Sequence, residues 1–142
     1  MTHTIKYTND TSYHLTKAHP TDAGLDLPSA ENIKLCPGER HAVSTGIRLQ
    51  LPHGTSAEVL PRSGLALKEG ITVLNAPGLI DQNYRGEIKV ILINHGKTAK
   101  HITKGDRIAQ LVIRQTVPVE LIETTHLDET DRGANGFGSS GR

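Results

Sequence analysis

Thr45-Gly-Ile-Arg-Leu-Gln-Leu51, followed by Pro52-His-Gly54, carries the clearest strand pattern in the chain. Its apolar side chains Ile47, Leu49 and Leu51 alternate with polar ones, so an extended strand places all three on one face. The Pro-His-Gly sequence then turns the chain. Short apolar runs rich in β-branched residues and ended by Gly or Pro recur along the sequence, whereas helical periodicity is weak throughout. The chain is therefore predicted to be built from strands.

Further strands are predicted at five places along the chain, namely residues 58–61, 71–74, 88–93, 108–113 and 117–122. Turn signals separate them at Pro37-Gly38, Pro77-Gly78, Asn94-His95-Gly96 and Lys104-Gly105-Asp106. One short helical turn is predicted near Ser63–Lys68. Many short strands at this spacing are typical of an all-β sandwich, barrel or jelly roll.

Length and composition restrict the possible functions. The chain has 142 residues, the size of one domain, and its formal net charge of +1 provides no basic field for duplex DNA or a membrane surface. Cys36 is the only cysteine, which excludes an intramolecular disulfide and a cysteine-cluster zinc site and fits a reducing compartment. Because there is no signal peptide and no long apolar run, we expect a cytoplasmic protein that binds neither nucleic acid nor membrane.

After Leu127 the composition shifts to Asp, Gly, Asn and Ser, which predicts a β domain over residues 1–127 and a flexible C-terminal arm over residues 128–142. The arm contains Phe137, the only phenylalanine of the chain. Glycine loses the most entropy on ordering, and no neighbouring apolar residue offsets that loss. One interpretation is a disordered, solubilising tail. The other is an arm that folds over a flat, negatively charged ligand, with Phe137 stacking and Arg132 pairing with phosphate.

The sequence Arg62-Ser63-Gly64 presents a guanidinium, a hydroxyl and an unobstructed backbone amide in succession. These groups can hold phosphate oxygens, although an ordinary surface turn has the same composition. Gln110 lies inside an apolar strand pattern, so if buried it needs a hydrogen-bond partner, either a phosphate oxygen or a backbone carbonyl. The chain contains neither the P-loop sequence nor the dinucleotide-binding glycine pattern, so a phosphate site here is of another type.

Three further polar residues have a possible role in chemistry. Asp81 is ionised at neutral pH and can orient and partly deprotonate a water molecule, or it can simply cap a turn. Tyr84 can pack its ring against a sugar or be an ordinary edge tyrosine. Asp26 alternates with two leucines, so it faces away from them, either as a partner of a hydrated magnesium ion or as a solvated surface residue.

Taken together, five segments of the chain resemble, in order, the five motifs of the trimeric dUTP pyrophosphatases (dUTPases). The segments are AGLDLPSA (23–30), PRSGLALKEGI (61–71), NAPGLIDQNYRGEIKV (75–90), GDRIAQLVI (105–113) and RGANGFGSSG (132–141). The resemblance implies a jelly-roll-like β-barrel or sandwich assembled into a homotrimer. Its three active sites would lie at subunit junctions, each built from motifs of all three chains.

The activity that the resemblance implies is hydrolysis of dUTP to dUMP and pyrophosphate by in-line attack of water on the α-phosphorus. This reaction would keep uracil out of DNA and supply dUMP for dTMP synthesis. Mg²⁺ would be chelated by the three phosphates and touched by Asp26 through water, with no direct protein ligand. Asp81 would activate the attacking water and contact the 3′-hydroxyl, and Tyr84 would exclude a 2′-hydroxyl.

The remaining roles implied by the resemblance concern binding of the base and of the phosphates. The uracil edge would be read by a hairpin that includes Asn75, Gly78, Leu79, Ile80 and Lys89. The phosphates would be held by Arg62, Ser63, Gly64 and Gln110. In the arm, Arg132 would reach the γ-phosphate, Phe137 would stack over uracil, and the triphosphate would be enclosed by Gly138, Ser139 and Ser140.

Three alternatives to a dUTPase remain open at this point. The dCTP deaminases share the fold, but the apolar Gly78-Leu79-Ile80 before Asp81 and the complete Gly-Phe-Gly-Ser-Ser arm favour the pyrophosphatase. Some phage members of the family bind regulatory proteins, so a nucleotide-gated interaction module is the second alternative, as a sole or an additional role. A purely structural β trimer is favoured least, because it would not need Arg62, Asp81, Arg132 and Phe137 together.

Overall fold

The computed structural model describes residues 2–141. In this range the chain forms eleven strands and one short helix, so the predicted mostly-β fold is confirmed. The elements in chain order are β1 Lys6–Asn9, β2 Gly24–Pro28, β3 Ile33–Leu35, β4 Arg40–Ser44, β5 Ile47–Gln50, β6 Thr55–Leu60, α1 Ser63–Glu69, β7 Ile71–Val73, β8 Gly78–Ile80, β9 Lys89–Asn94, β10 Lys100–Ile102 and β11 Arg107–Gln115.

The strands of residues 2–141 pair antiparallel in four sheets. The largest has the order β2-β11-β6-β8 and the next has the order β4-β9-β7, while β1 pairs with β5 and β10 pairs with β3. In the largest sheet Gln110 of β11 lies opposite Asp26 of β2 on one side and Leu60 of β6 on the other. Since β6 leads directly into Arg62, this register gathers three segments that are distant in sequence.

The core is one cluster of aliphatic side chains, as the scarcity of aromatic residues requires. Ile47, Leu49 and Leu51 are all buried, which confirms the alternation that predicted this strand. In β9, Val90 and Leu92 are buried in the same alternating way. Each such side chain stabilises the fold by about 1.5–3 kcal/mol relative to an exposed position. The two larger sheets therefore hold together through burial of one aliphatic face of each strand.

The predicted helical turn near Ser63–Lys68 is confirmed as α1. None of its residues is fully buried, but Leu65 is partly buried and packs against the core, and this contact stabilises a helix that is too short to be stable alone. It ends at Gly70, whose φ of 70° lies in the left-handed region and whose amide donates to the Ala66 carbonyl at 3.1 Å. A Cβ on Gly70 would lie 2.6 Å from the Gly96 amide nitrogen, so glycine is required here for two reasons.

The predicted strand over residues 117–122 is wrong. β11 ends at Gln115, and the described residues after it form neither a strand nor a helix. A strand needs a hydrogen-bonded neighbour, and within residues 2–141 nothing pairs with this segment. Its large apolar side chains are therefore exposed, at Val117, Val119, Leu121 and Ile122.

Within residues 2–141, no helix has both the length and the apolar character needed to cross a membrane.

Candidate functional site

A cavity of about 490 Å³ opens beside the hairpin that joins β8 to β9. Six of the residues predicted to bind the base and the sugar line it, namely Asn75, Gly78, Leu79, Ile80, Tyr84 and Lys89. The lining also includes Val59 of β6 and Ile91 of β9, which belong to the two larger sheets. The structure therefore brings the predicted nucleoside-binding residues together in one place.

The strand β8 forms the edge of its sheet, and this leaves backbone groups free to face the cavity. It pairs with β6 on one side only, with Gly78 opposite Val59 and Ile80 opposite Ala57. Alternate N–H and C=O groups of an edge strand point away from the sheet and are available to a ligand. A Cβ on Gly78 would lie 3.3 Å from the Val59 Cβ, so glycine keeps this wall open without crowding β6.

Asp81 lies at the point where β8 ends and the turn to Tyr84 begins. The amide of Tyr84 donates to the Asp81 carbonyl at 3.0 Å, so the backbone closes the turn. The Asp81 carboxylate is exposed and accepts no hydrogen bond from any of residues 2–141. The interpretation of Asp81 as a turn-capping side chain is therefore wrong, because its carboxylate is free for a ligand or a water molecule.

A second cavity of about 340 Å³ collects the residues predicted to bind phosphate. Its lining includes Arg62, Ser63, Gly64, Gln110 and Asp26. A Cβ on Gly24, which also lines this cavity, would lie 2.7 Å from Gln110 Oε1. The absence of a side chain at this position therefore leaves room for the Gln110 amide.

The arginine of this cavity is held by a carboxylate. Arg62 Nε lies 3.3 Å from Asp26 Oδ1, and Arg107 Nη1 lies 3.5 Å from Asp26 Oδ2. Arg62 also donates from Nη1 to the Arg107 carbonyl at 3.0 Å. The Asp26 side chain is only 13% exposed, so it is not the solvated surface residue that one interpretation of the sequence proposed. Arg107 was not singled out from the sequence, where it is one of many charged residues in a strand pattern.

Gln110 satisfies the hydrogen-bonding requirement predicted from its position. Its Nε2 donates to the Pro61 carbonyl at 2.9 Å. A side-chain amide has two hydrogens on nitrogen and two lone pairs on oxygen, so Gln110 keeps further capacity for a ligand in the cavity. The bond to Pro61 also orients the amide, which faces the residues leading into α1.

The two cavities share no lining residue, and the arm touches neither of them. Arg132 Nε donates to the Asn135 carbonyl at 3.0 Å within the arm itself. Phe137 is fully exposed, and Gly138, Ser139 and Ser140 are exposed beside it. The predicted site residues thus form three separate groups in one chain: the nucleoside cavity, the phosphate cavity and the arm.

Glu87 is a cavity-lining residue that sequence analysis did not single out. Its carboxylate accepts hydrogen bonds from the Ser44 hydroxyl and from the Gly46 amide, the latter at 2.9 Å. Burial acts to raise the pKa of Glu87, but these two bonds, with the charges of Lys89 and Arg48, outweigh burial and lower the pKa below its ordinary value. A carboxylate inside the polar hairpin sequence was the only signal that could have pointed to it.

No group of three His, Cys, Asp or Glu side chains that could enclose a metal ion occurs within residues 2–141. The Asp26 carboxylate nevertheless suits a hydrated magnesium ion, since Mg²⁺ prefers oxygen ligands and often keeps its water shell in proteins. Both carboxylate oxygens already face an arginine, so contact through water fits the residues present better than direct coordination does.

Comparison with known proteins places the chain in a family. The dUTPase family model matches residues 10–141, which include all three groups of site residues. The chain belongs to the dUTPase family. The deoxyuridine 5′-triphosphate nucleotidohydrolase of Gloeothece citriformis is 54% identical over 123 residues, covering 87% of this chain and 85% of the relative. That of Clostridium novyi is 52% identical over 137 residues, covering 96% of each.

A solved dUTPase structure has the same fold. The dUTPase of Staphylococcus bacteriophage 80alpha with dUPNHPP superposes with a TM-score of 0.92 at 27% sequence identity, over 99% of this chain and 100% of that one. The phage dUTPases of that study are described as controlling the transfer of virulence genes. Family membership and fold therefore agree for this dUTPase over nearly the whole chain.

Proposed function

We propose that this chain hydrolyses dUTP to dUMP and pyrophosphate, with the nucleoside bound beside the β8–β9 hairpin. Membership of the dUTPase family makes it an enzyme of the dUTP diphosphatase class. The observation that carries the proposal is the cavity lined by Asn75, Gly78, Leu79, Ile80, Tyr84 and Lys89, with the free carboxylate of Asp81 at the turn next to it.

The outer edge of β8 supports recognition of uracil. The base presents an acceptor, a donor and an acceptor along its pairing edge, and a free strand edge presents backbone donors and acceptors in alternation. Cytosine would place a donor where uracil has an acceptor, and a buried mismatch of this kind leaves polar groups unpaired. The additional methyl group of thymine would be excluded by close contact of the base with the strand at Gly78.

Tyr84 and Asp81 are proposed to act on the sugar and on the attacking water. The Tyr84 ring lines the cavity. It would pack against deoxyribose and leave no room for a 2′-hydroxyl. Asp81 would orient the water for in-line attack on the α-phosphorus and accept part of its proton. An exposed carboxylate without protein hydrogen bonds suits this task, because its lone pairs are free for the water and the 3′-hydroxyl.

The phosphates are proposed to bind Arg62, Ser63, Gly64 and Gln110 in the second cavity. Magnesium bound to the triphosphate would neutralise charge that develops during displacement. Asp26 would meet the metal's water shell and, by pairing with Arg62, keep the guanidinium aimed into the cavity. Catalysis then depends mainly on positioning and on charge neutralisation.

We further propose a homotrimer in which each active site combines groups from different subunits. This proposal is supported by the separation of the two cavities and of the arm within one chain. The exposed apolar side chains Val117, Val119, Leu121, Ile122 and Leu127 support it too, since several large apolar side chains exposed within a short segment mark an interaction surface. Arg132 and Phe137 would then close over a neighbouring subunit's nucleotide.

The cellular role that follows from this reaction is removal of dUTP, which keeps uracil out of DNA and supplies dUMP for dTMP synthesis, in the cytoplasm. A regulatory binding role is the second candidate function. It is favoured by the phage 80alpha dUTPase, which is 27% identical and is described as controlling gene transfer.

Pyrophosphate release from dUTP, dCTP, dTTP and UTP, measured in parallel with magnesium, tests the proposal. Release from dUTP alone is expected. Release of ammonia from dCTP would indicate a deaminase instead. Binding of dUTP without release from any of the four nucleotides would favour the regulatory role.

A further inference from the structure

The ring of Tyr84 is held in one place although its side chain is half-exposed. Its Oη donates to the Glu87 carbonyl at 3.0 Å. A Cβ on Gly86 would lie 2.3 Å from Tyr84 Oη and 2.5 Å from Tyr84 Cζ, so the ring packs directly on the Gly86 backbone. Any side chain at Gly86 would displace the ring.

The backbone beneath the ring is attached to the connection between β4 and β5. Glu87 accepts both of its bonds, from the Ser44 hydroxyl and from the Gly46 amide, on the same oxygen, Oε1. The neighbouring Ile88 donates its amide to the Ile47 carbonyl at 2.8 Å and accepts from the Thr45 hydroxyl at 2.5 Å. Four hydrogen bonds thus join residues 87–88 to residues 44–47.

The connection itself is fixed from its other side. Gly46 has a φ of 70°, and a Cβ there would lie 2.8 Å from Thr11 Cγ2. Its carbonyl accepts from the Asp10 amide at 2.9 Å, at the end of β1. The Glu87 carboxylate is therefore bound to a segment that has little freedom to move.

We propose that Glu87 is a positioning residue for sugar selectivity, which acts by fixing the carbonyl that holds the Tyr84 ring. The proposal rests on the role of Tyr84 proposed above. A ring excludes a 2′-hydroxyl only if it cannot tilt away when a ribonucleotide enters. Without the bonds of Glu87 to Ser44 and Gly46, the turn that carries Tyr84 can shift, and the ring then yields to the additional hydroxyl.

The test compares kcat/KM for dUTP and for UTP in a series of variants. Glu87→Ala is expected to lower the dUTP-to-UTP ratio by about tenfold, within the range that a single misplaced group costs in discrimination. Ser44→Ala removes one of the two bonds and is expected to lower the ratio less. Glu87→Gln keeps an oxygen that accepts both bonds, so it should retain a ratio near that of the unaltered protein.

Matched controls separate positioning from loss of stability. The Glu39 carboxylate also accepts a hydrogen bond from a backbone amide, that of Cys36, at 2.8 Å. Glu39 does not line the cavity, so Glu39→Ala should leave the dUTP-to-UTP ratio unchanged. Thermal unfolding of each variant reports its stability. If Glu87→Ala does not fold, Ser44→Ala carries the test, because its hydroxyl bonds only to Glu87 among residues 2–141.

Tyr84→Ala separates the inference about Glu87 from the proposed role of Tyr84 on which it rests. If Tyr84→Ala lowers the ratio while neither Glu87→Ala nor Ser44→Ala does, the inference about Glu87 is overturned and the role of Tyr84 stands. If Tyr84→Ala leaves the ratio unchanged, the proposed role of Tyr84 is itself overturned. A Glu87→Gln protein that resembles Glu87→Ala would overturn the assignment to the two hydrogen bonds.

Discussion

Asp81 and Asp26 are two aspartates with opposite surroundings, which suit them to different roles. Asp26 is mostly buried and pairs with Arg62 and Arg107, so its charge is neutralised and its position is fixed. Asp81 is exposed and accepts no hydrogen bond from residues 2–141. A free carboxylate can take a proton or orient a water, whereas a paired one stabilises the arginines around it.

The change Asp81→Asn is therefore expected to remove most turnover while dUTP binding persists. The amide is nearly the same size but is a much weaker base, so kcat should fall by about 10²–10⁴-fold. Single-turnover hydrolysis and equilibrium binding of a non-hydrolysable dUTP analogue measure the two effects separately. Turnover near that of the unaltered protein would remove Asp81 from the role of base.

The change Phe137→Ala should weaken catalysis without changing stability. Phe137 is fully exposed, so its removal takes no packing from the core. Loss of stacking on a base typically costs about 1–3 kcal/mol, so kcat/KM for dUTP should fall by roughly tenfold. Phe137→Tyr keeps the ring and serves as the control. A fall in Tm together with activity would instead make Phe137 a packing residue.

The carboxylate of Glu87 should make stability depend on pH. Its pKa in the folded chain is below the ordinary value of 4.5, so its contribution to stability is present above that value and is lost as the pH falls through the folded pKa. Urea unfolding between neutral and acid pH should therefore show a steeper loss of stability for the unaltered protein than for Glu87→Gln. Equal slopes would contradict the hydrogen bonds to Ser44 and Gly46.

At the scale of elements, sequence patterns identified the strands with continuous or alternating apolar residues and missed those of mixed composition. β5, β6, β7, β9, β11 and α1 were predicted within a few residues, because alternation and turn residues are local signals. The short strands β1, β3, β4 and β10 were missed, since three to five residues of mixed composition carry little periodicity. The segment 117–122 has a strand's composition but no partner within residues 2–141.

The end of α1 offers a quantitative test of the fold. Gly70→Ala would place a Cβ 2.6 Å from the Gly96 amide nitrogen and also strain the left-handed backbone, whereas Gly38, with a φ of 80°, has nothing within 4 Å. Gly38→Ala should therefore cost only about 1–2 kcal/mol of unfolding free energy, and Gly70→Ala more. Urea unfolding measures both. Equal losses would mean that β9 and α1 move apart easily.

At the scale of the whole molecule, no single chain brings the three groups of site residues together. The nucleoside cavity, the phosphate cavity and the arm are separate in residues 2–141. An assembly with rotational symmetry can place the phosphate cavity of one chain beside the nucleoside cavity of the next. Because of this separation, one chain alone does not form a complete site. The same separation is expected if each site combines groups from different chains.

Mixing two inactive variants tests this arrangement. Asp81→Asn and Arg132→Ala, each inactive alone, should recover activity after subunit exchange, because some sites then receive an intact Asp81 from one chain and an intact Arg132 from another. Random mixing in equal amounts gives one half times one half, or about a quarter of the sites, if the two groups come from different subunits. No recovery, with exchange demonstrated by a labelled subunit, would contradict shared sites.

The amino-acid sequence by itself determined the β class, the aliphatic core and the identity of nearly all the candidate site residues. These follow from residue types and short spacings, which are local features and can be identified without knowledge of the fold. Only the tertiary structure decided which of those residues meet. The pairing of Asp26 with Arg62 and Arg107 depends on the register of β2 and β11. The bond between Ser44 and Glu87 joins residues 43 positions apart, which no local pattern can encode.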